Sequence, residues 1–132
     1  MVMRTLLATL ILLLASGCSQ SQPGVLYQVT VVKDGQPLAS PSLVGEFEQS
    51  VSFDVASEVR VEMSARETDG ARAFVTAEIY LPSDGEVALA HRFESEMELD
   101  KTPSFQYTSE DKRYRIEIRP RNIELPPNRA AT

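Results

Sequence analysis

The most constraining feature of this sequence is a strict alternation of apolar and polar residues at positions 59–66. The apolar members of this run are Val59, Val61, Met63 and Ala65. Successive side chains of a β-strand point to opposite faces, so a period of two predicts a strand with one dry and one solvated face. The same rhythm recurs at 73–81 and at 114–118. No convincing helical spacing follows residue 17.

Turn signals separate the alternating runs. Asp34-Gly35 is a two-residue hairpin signal, and both Asp69-Gly70 and Asp84-Gly85 end apolar runs. Pro37 and Pro41 keep the stretch around them from forming a central strand. About eight short strands result, and this pattern predicts an all-β fold, an antiparallel β-sandwich or a small barrel. A meander is the simplest strand order, because consecutive strands usually lie side by side.

The first 17 residues have the composition of an export signal. Arg4 precedes a nearly unbroken apolar run at 5–14, and the small residues Ala15, Ser16 and Gly17 follow it. A basic start, a short apolar core and a small-residue exit are typical of a secretory signal helix that is later removed. A transmembrane helix needs about 20 apolar residues, which is longer than this run.

The exit of this leader carries the only cysteine. Ala15-Ser16-Gly17-Cys18 resembles the lipobox of bacterial lipoproteins. The resemblance implies that Cys18 receives a diacylglycerol, that cleavage occurs before it, and that the new amino group is acylated. It also implies, through Ser19, delivery to the outer membrane on the side facing the periplasm. An ordinary secreted protein with a free or buried cysteine is the alternative.

These features divide the chain into four parts. Residues 1–17 are the leader, 18–24 are the lipidated cysteine and a tether, 25–119 are a single β domain, and 120–132 are a loose proline-containing tail. The six residues of the tether after Cys18 reach at most about 20 Å. The domain is therefore expected close to the membrane surface.

The net charge of the chain makes some classes of binding partner unfavourable. The formal net charge is −6, and removal of the leader takes Arg4 away and makes it −7. This balance opposes binding to nucleic acid, where basic patches supply most of the affinity. It also opposes adhesion to anionic headgroups, so membrane contact is expected through the lipid on Cys18. With that cysteine modified no disulfide can form, and a packed core must stabilise the domain.

The sequence offers little catalytic or metal-binding chemistry. His91 is the only histidine, and it alternates in step with Leu89 and Phe93, which indicates a core or core-edge imidazole. Nucleophilic catalysis needs a base and an orienting partner in register, and no serine stands out. One histidine and one acylated cysteine cannot form a transition-metal site. We therefore predict no cofactor, no catalytic residue and no metal.

Four acids follow on one strand face: Glu94, Glu96, Glu98 and Asp100. They could form a weak site for a hard cation such as Ca²⁺, or they could pair with arginines across strands. An enzyme that acts on envelope polymers through Glu94 or Glu96 is an alternative function.

Phe74 and Tyr80 lie on the second face of a strand whose other face is also apolar. Two aromatic residues on a nominally wet face are the candidate binding patch. A central strand buried on both sides is the other interpretation.

A looser resemblance covers about 45 residues in the middle of the chain. Leu38-Ala39-Ser40-Pro41-Ser42, then 59–66, then Asp69-Gly70 and 74–80 resemble a fragment of the secretin homology region. This resemblance implies a β element that works within an assembly.

Together these observations predict a membrane-anchored lipoprotein of the cell envelope. Its β domain is expected to be a binding or assembly module with a protein partner in the envelope. A purely structural envelope protein is a further alternative.

Overall fold

Two antiparallel sheets pack face to face in the computed structural model, which describes residues 22–69 and 72–126. The prediction of an all-β fold is confirmed, and the two sheets form a sandwich. The strands are β1 (Gln22–Lys33), β2 (Gln36–Ala39), β3 (Ser42–Glu46), β4 (Val51–Val55), β5 (Val59–Asp69), β6 (Arg72–Ser83), β7 (Glu86–Glu98), β8 (Phe105–Thr108) and β9 (Tyr114–Leu125). One 3₁₀ turn, Leu99–Lys101, follows β7.

The strand order differs between the two sheets. Sheet A has the order β2-β1-β9-β8, with β3 also paired to β1, and sheet B has the order β4-β5-β6-β7. The predicted meander is therefore right for sheet B and wrong for sheet A, where the first strand pairs with the last along its whole length. Ser40 and Pro41 interrupt the edge beside β1, which divides it into β2 and β3.

The core lies between the sheets and is built from the alternating residues. Val61, Met63, Val75 and Ile79 are fully or almost fully buried, as the period-two pattern predicted. Tyr27 of sheet A is also fully buried, and its hydroxyl has no hydrogen-bond partner among the described residues. Burial raises the pKa of Tyr27, because the charged phenolate is poorly solvated there.

Two of the predicted turns have the geometry that their sequences demand. Asp34 and Gly35 have φ values of 51° and 78°, and Asp84 and Gly85 have 52° and 83°. Positive φ at both central residues is the signature of the hairpin turn that Asp-Gly favours. Gly70 and Ala71 of the third predicted turn lie outside the described residues.

The β domain is longer at both ends than the sequence indicated. β1 begins at Gln22, inside the predicted tether, and β9 continues to Leu125, so the tail predicted from residue 120 starts too early. Pro120 is tolerated in β9 because β8 starts opposite Ile118, and beyond that point β9 pairs only with β1. Cys18 and the leader lie outside the described residues.

The strands give the sandwich two distinct ends. At the hairpin end the turns after β1, β4, β6 and β8 come together, and Lys33 Nζ lies 2.9 Å from Glu58 Oε1 there. At the entry end Gln22 pairs with Leu125, and the 3₁₀ turn buries Leu99 under β9.

Candidate functional site

The candidate site lies on strand β7, the last strand of sheet B. β7 is 13 residues long and pairs with β6, and no other described strand pairs with it. Its outer edge therefore presents unpaired backbone N–H and C=O groups. Such an edge is a template on which another strand can pair, and proteins normally protect it with charges or proline.

The first part of β7 lacks that protection. Val87, Ala88, Leu89 and Ala90 are four consecutive exposed apolar residues, and Val87 and Leu89 are 43% and 51% exposed. A run of this length on a solvated strand is a fault in a purely structural element and is typical of a functional surface.

A β-bulge explains why these residues are exposed. Ile79 pairs with His91, whereas Tyr80 pairs with Leu89, so Ala90 is an extra residue in β7. Because of the extra residue, side chains of β7 that precede Ala90 point to the opposite face from the one that the alternation predicts. The prediction that Leu89 shares a face with His91 and Phe93 is therefore wrong, because Leu89 and Val87 point to the outer face.

Beyond the bulge β7 closes the open side of the sandwich. The His91 ring stacks on Tyr107 with 4.7 Å between centroids, and Phe93 meets Phe105 at 4.5 Å. His91 also meets Phe93 edge-on at 4.5 Å. The prediction of a core-edge imidazole is confirmed, since His91 is half-buried among aromatic rings.

A groove of about 440 Å³ lies beside the exposed run, between β7 and the turn that joins β8 to β9. Leu81 and Tyr114 are buried at its base, and Ala88 and Ala90 form one wall. These two small side chains leave the space between the sheets open at this point. The groove is open to solvent along one side.

The opposite rim of the groove is a turn that is held by side-chain hydrogen bonds. Ser109 Oγ donates a hydrogen bond to Asp111 Oδ1 at 2.7 Å and accepts one from the backbone N–H of Tyr114 at 3.0 Å. The bond from Ser109, with a second from the backbone N–H of Arg113, lowers the pKa of Asp111. The rim therefore carries a negative charge at neutral pH.

Tyr80 extends the apolar surface around to the outer face of sheet B. It pairs with Leu89 and lines a second cavity of about 440 Å³ with Val87 and Arg60. The guanidinium carbon of Arg60 lies 6.0 Å from the centre of its ring. We call the surface formed by Tyr80, Val87, Ala88, Leu89 and Ala90 the edge patch.

The structure separates the two aromatic residues that the sequence singled out. Phe74 and Tyr80 lie on the same face of β6, but six residues or about 20 Å apart. Phe74 is covered by Arg66, whose guanidinium carbon is 5.3 Å from the ring centre. Phe74 and Tyr80 therefore do not form one contiguous surface, and of the two only Tyr80 belongs to the edge patch. The signal that could have revealed the edge patch is the uncharged run Val87–Ala90 after an Asp-Gly turn.

The acidic residues of β7 meet arginines across and along the strands. Arg92 Nε lies 3.0 Å from Glu94 Oε1, and Arg72 contacts Glu96 at 3.0 Å and Glu98 at 3.2 Å. Asp100 lies in the 3₁₀ turn. Within 22–69 and 72–126, no three His, Cys, Asp or Glu side chains form a group that could hold a metal ion.

The segments that resemble the secretin homology region are divided between the two sheets. Residues 38–42 span the end of β2 and the start of β3 in sheet A, whereas 59–66 and 74–80 form the middle of sheet B. Gly70 lies outside the described residues. None of the described segments is a helix long and apolar enough to cross a membrane.

Comparison of the chain with protein-family models, with curated proteins and with solved structures found no match.

Proposed function

We propose that this protein is a small lipoprotein, anchored through Cys18 to the periplasmic side of the outer membrane, whose β domain binds without catalysis. The partner is another envelope protein, and an extended segment of that partner pairs with β7 at the edge patch. The lipobox-like residues Ala15–Cys18 support the anchor. The edge patch supports the binding mode.

The observation that carries the binding mode is the coincidence of an open edge, an apolar run and a groove. In strand addition, backbone hydrogen bonds supply affinity and pockets for alternate side chains supply specificity. Val87–Ala90 provide the backbone edge, and the groove above Leu81 and Tyr114 accepts side chains on one side of an added strand. Tyr80 and Val87 line the cavity on the other side.

The position of the edge patch suits a protein anchored by its amino terminus. The patch is at the hairpin end, while Gln22 is at the entry end. The 12 residues of β1 separate these ends, which corresponds to about 40 Å. An anchored domain therefore holds the patch away from the point of attachment.

The charge around the groove indicates the composition of the partner segment. Asp84 and Glu86 flank the start of the run and are exposed, and Glu110 and Asp111 line the groove. Charge complementarity favours an extended segment with apolar residues and at least one Lys or Arg.

The binding mode can be tested by photo-cross-linking in living cells. A photoreactive amino acid at Leu89 should give a discrete protein adduct, and the same residue at Ser52 should not. Ser52 is a matched control because it is exposed on β4, the opposite edge strand of sheet B. The adduct should disappear when Val87→Lys is combined with the Leu89 probe, since a buried charge in the paired edge is unfavourable.

Different outcomes would contradict the partner segment at β7 and the anchor at Cys18. An adduct of two copies of this chain, or equal adducts from Leu89 and Ser52, would contradict a specific partner segment at β7. If cells do not incorporate labelled fatty acid into the chain, and the Cys18→Ala chain fractionates with the membrane as the native chain does, the anchor is contradicted. The cross-link at Leu89 then tests the edge patch by itself.

A further inference from the structure

The outer face of sheet A is basic, although the chain as a whole is acidic. The arginines of β9 on this face are Arg115, Arg119 and Arg121, and their register partners on β1 are Val32, Gln28 and Leu26. All three are exposed. Glu117 is the only acid among the outward-facing residues of β9 from 115 to 121.

These arginines are poorly neutralised within the described part of the chain. Arg119 lies 3.2 Å from Glu117, and Arg121 Nη1 donates a hydrogen bond to the neutral Gln28 at 3.4 Å. Arg115 has no carboxylate partner among the described residues. The outer face also carries Glu46 on β3, which is exposed, so three arginines meet two carboxylates on this face.

The outer face of sheet B has the opposite balance. Its basic residues by register are Arg60, Arg66, Arg72 and Arg92, and its acids are Asp54, Glu62, Glu78, Glu94, Glu96 and Glu98. Arg60, Arg72 and Arg92 each contact two of these acids. The excess positive charge of the domain is thus confined to sheet A.

Apolar side chains accompany the arginines near the entry end. Leu26 lies between Val44 of β3 and Arg121 of β9 in one cross-strand row, and Val44 is 50% exposed. Gln22, four residues before Leu26 on β1, is separated from Cys18 by only three residues. Those four chain steps span at most about 14 Å.

We propose that the outer face of sheet A lies against a bilayer that contains anionic headgroups, with Arg115, Arg119 and Arg121 facing the phosphates. This inference rests on the proposed anchor at Cys18. The net charge of the chain does not oppose the contact, because charges more than a Debye length of about 8 Å away are largely screened. The arginines are near the surface, and the acids of sheet B are on the far side of the sandwich.

The contact is weak by itself and becomes effective through the tether. One net positive charge near an anionic surface corresponds to a bias of roughly fivefold toward the contacting orientation. A short tether holds the domain at a high effective concentration beside the bilayer, so this bias suffices to set its orientation. Sheet B and the edge patch then remain accessible to a partner.

The test uses the acylated protein in vesicles and compares two single-cysteine variants. Thr30→Cys lies at the centre of the outer face of sheet A, and Thr76→Cys lies at the centre of the outer face of sheet B. Both native side chains are half-buried, which makes the pair matched. Vesicles of phosphatidylcholine are compared with equal parts of phosphatidylcholine and phosphatidylglycerol, and a water-soluble maleimide reports accessibility.

The thiol of Thr30→Cys should react about fivefold more slowly in the anionic vesicles than in the neutral ones. The thiol of Thr76→Cys should react equally in both. The combined change Arg115→Gln, Arg119→Gln and Arg121→Gln should abolish the protection, whereas Arg60→Gln with Arg66→Gln should preserve it. Thermal melting confirms folding, and the pair Arg115→Gln with Arg121→Gln replaces the triple variant if the latter unfolds.

Equal rates for Thr30→Cys in both vesicles, or protection of Thr76→Cys, would overturn the orientation while the anchor stands. A chain that is not acylated would instead refute the anchor. Flotation of the Cys18→Ser chain with each vesicle type then tests, without the anchor, whether the outer face of sheet A binds anionic headgroups. The contact is supported if the chain binds anionic vesicles more strongly than neutral ones and the triple arginine variant loses this difference. Equal binding to both vesicle types overturns it.

Discussion

The two halves of strand β7 have opposite relationships to the rest of the molecule. From His91 to Glu98, inward side chains pack against β8 and outward carboxylates contact Arg72 and Arg92. From Glu86 to Ala90, four consecutive residues are exposed and apolar, and their edge is unpaired among the described strands. The half from His91 to Glu98 closes the core. The half from Glu86 to Ala90 pairs with β6 but leaves its apolar side chains exposed.

A single extra residue separates these roles. Because Ala90 is bulged, the pattern that buries Phe93 no longer buries Leu89. Burial on this edge strand is thus decided locally, by register, and the apolar residues that the bulge exposes become available for intermolecular pairing.

The largest effect is expected from the half that completes the fold. Phe93→Ala should lower the free energy of unfolding by about 2–3 kcal/mol, because it removes the contact with Phe105 and exposes the seam between the sheets. Phe93→Leu should cost less than half as much. Urea unfolding measures both, and a cost below about 1 kcal/mol for the alanine would show that the two halves of β7 do not differ in packing.

A smaller effect is expected from the carboxylates of the same half. A hydrogen bond from Thr68, followed by one from Arg72, lowers the pKa of Glu96, and a hydrogen bond from Lys101 with the charge of Arg72 lowers that of Glu98. Each folded pKa is below the unfolded value of about 4.3, so the contribution to stability is present above that pH. It is lost as the pH falls through the folded pKa values.

Arg72→Gln should therefore make the loss of stability below about pH 4.3 less steep. Arg66→Gln is the control, since Arg66 lies over Phe74. The measurement is urea unfolding at a series of acidic pH values. Identical acid limbs for the native chain and Arg72→Gln would show that Arg72 does not lower these pKa values.

The smallest effect is expected from the exposed half. Val87→Thr combined with Leu89→Thr should change the free energy of unfolding by less than about 0.5 kcal/mol, because both side chains point to solvent. Fluorescence of an apolar dye bound to the native protein should decrease, since the edge patch has lost its apolar surface. A loss of stability above about 1 kcal/mol would mean that Val87 and Leu89 pack against the domain.

Much of sheet B could be predicted from the sequence, because its information is local. The alternation at 59–66 and the Asp84-Gly85 turn each specify their own structure within a few residues. The pairing of β1 with β9 could not be predicted, because it joins residues about a hundred positions apart. The extension of β9 through Pro120 was missed for a similar reason, since it depends on where β8 begins.

The candidate site was only partly predictable. The sequence places Tyr80 on the wet face of β6 correctly, but the alternation predicts Leu89 on the core face, because a bulge leaves no mark in an alternating pattern. The basic face of sheet A could not be predicted from the net charge of −6. Which charged residues share a face depends on how the strands are paired in the sheet.

The pairing of Gln22 with Leu125 has a consequence for how the chain reaches this fold. Distant contacts must overcome a large loop-closure entropy, so topologies of this kind fold in milliseconds to seconds rather than microseconds. β1 lacks its main neighbour until β9 has been synthesised, and a chain cut before Tyr114 leaves only the short strands β2 and β3 to pair with it. Sheet A is therefore completed only after nearly all of the described chain has been made.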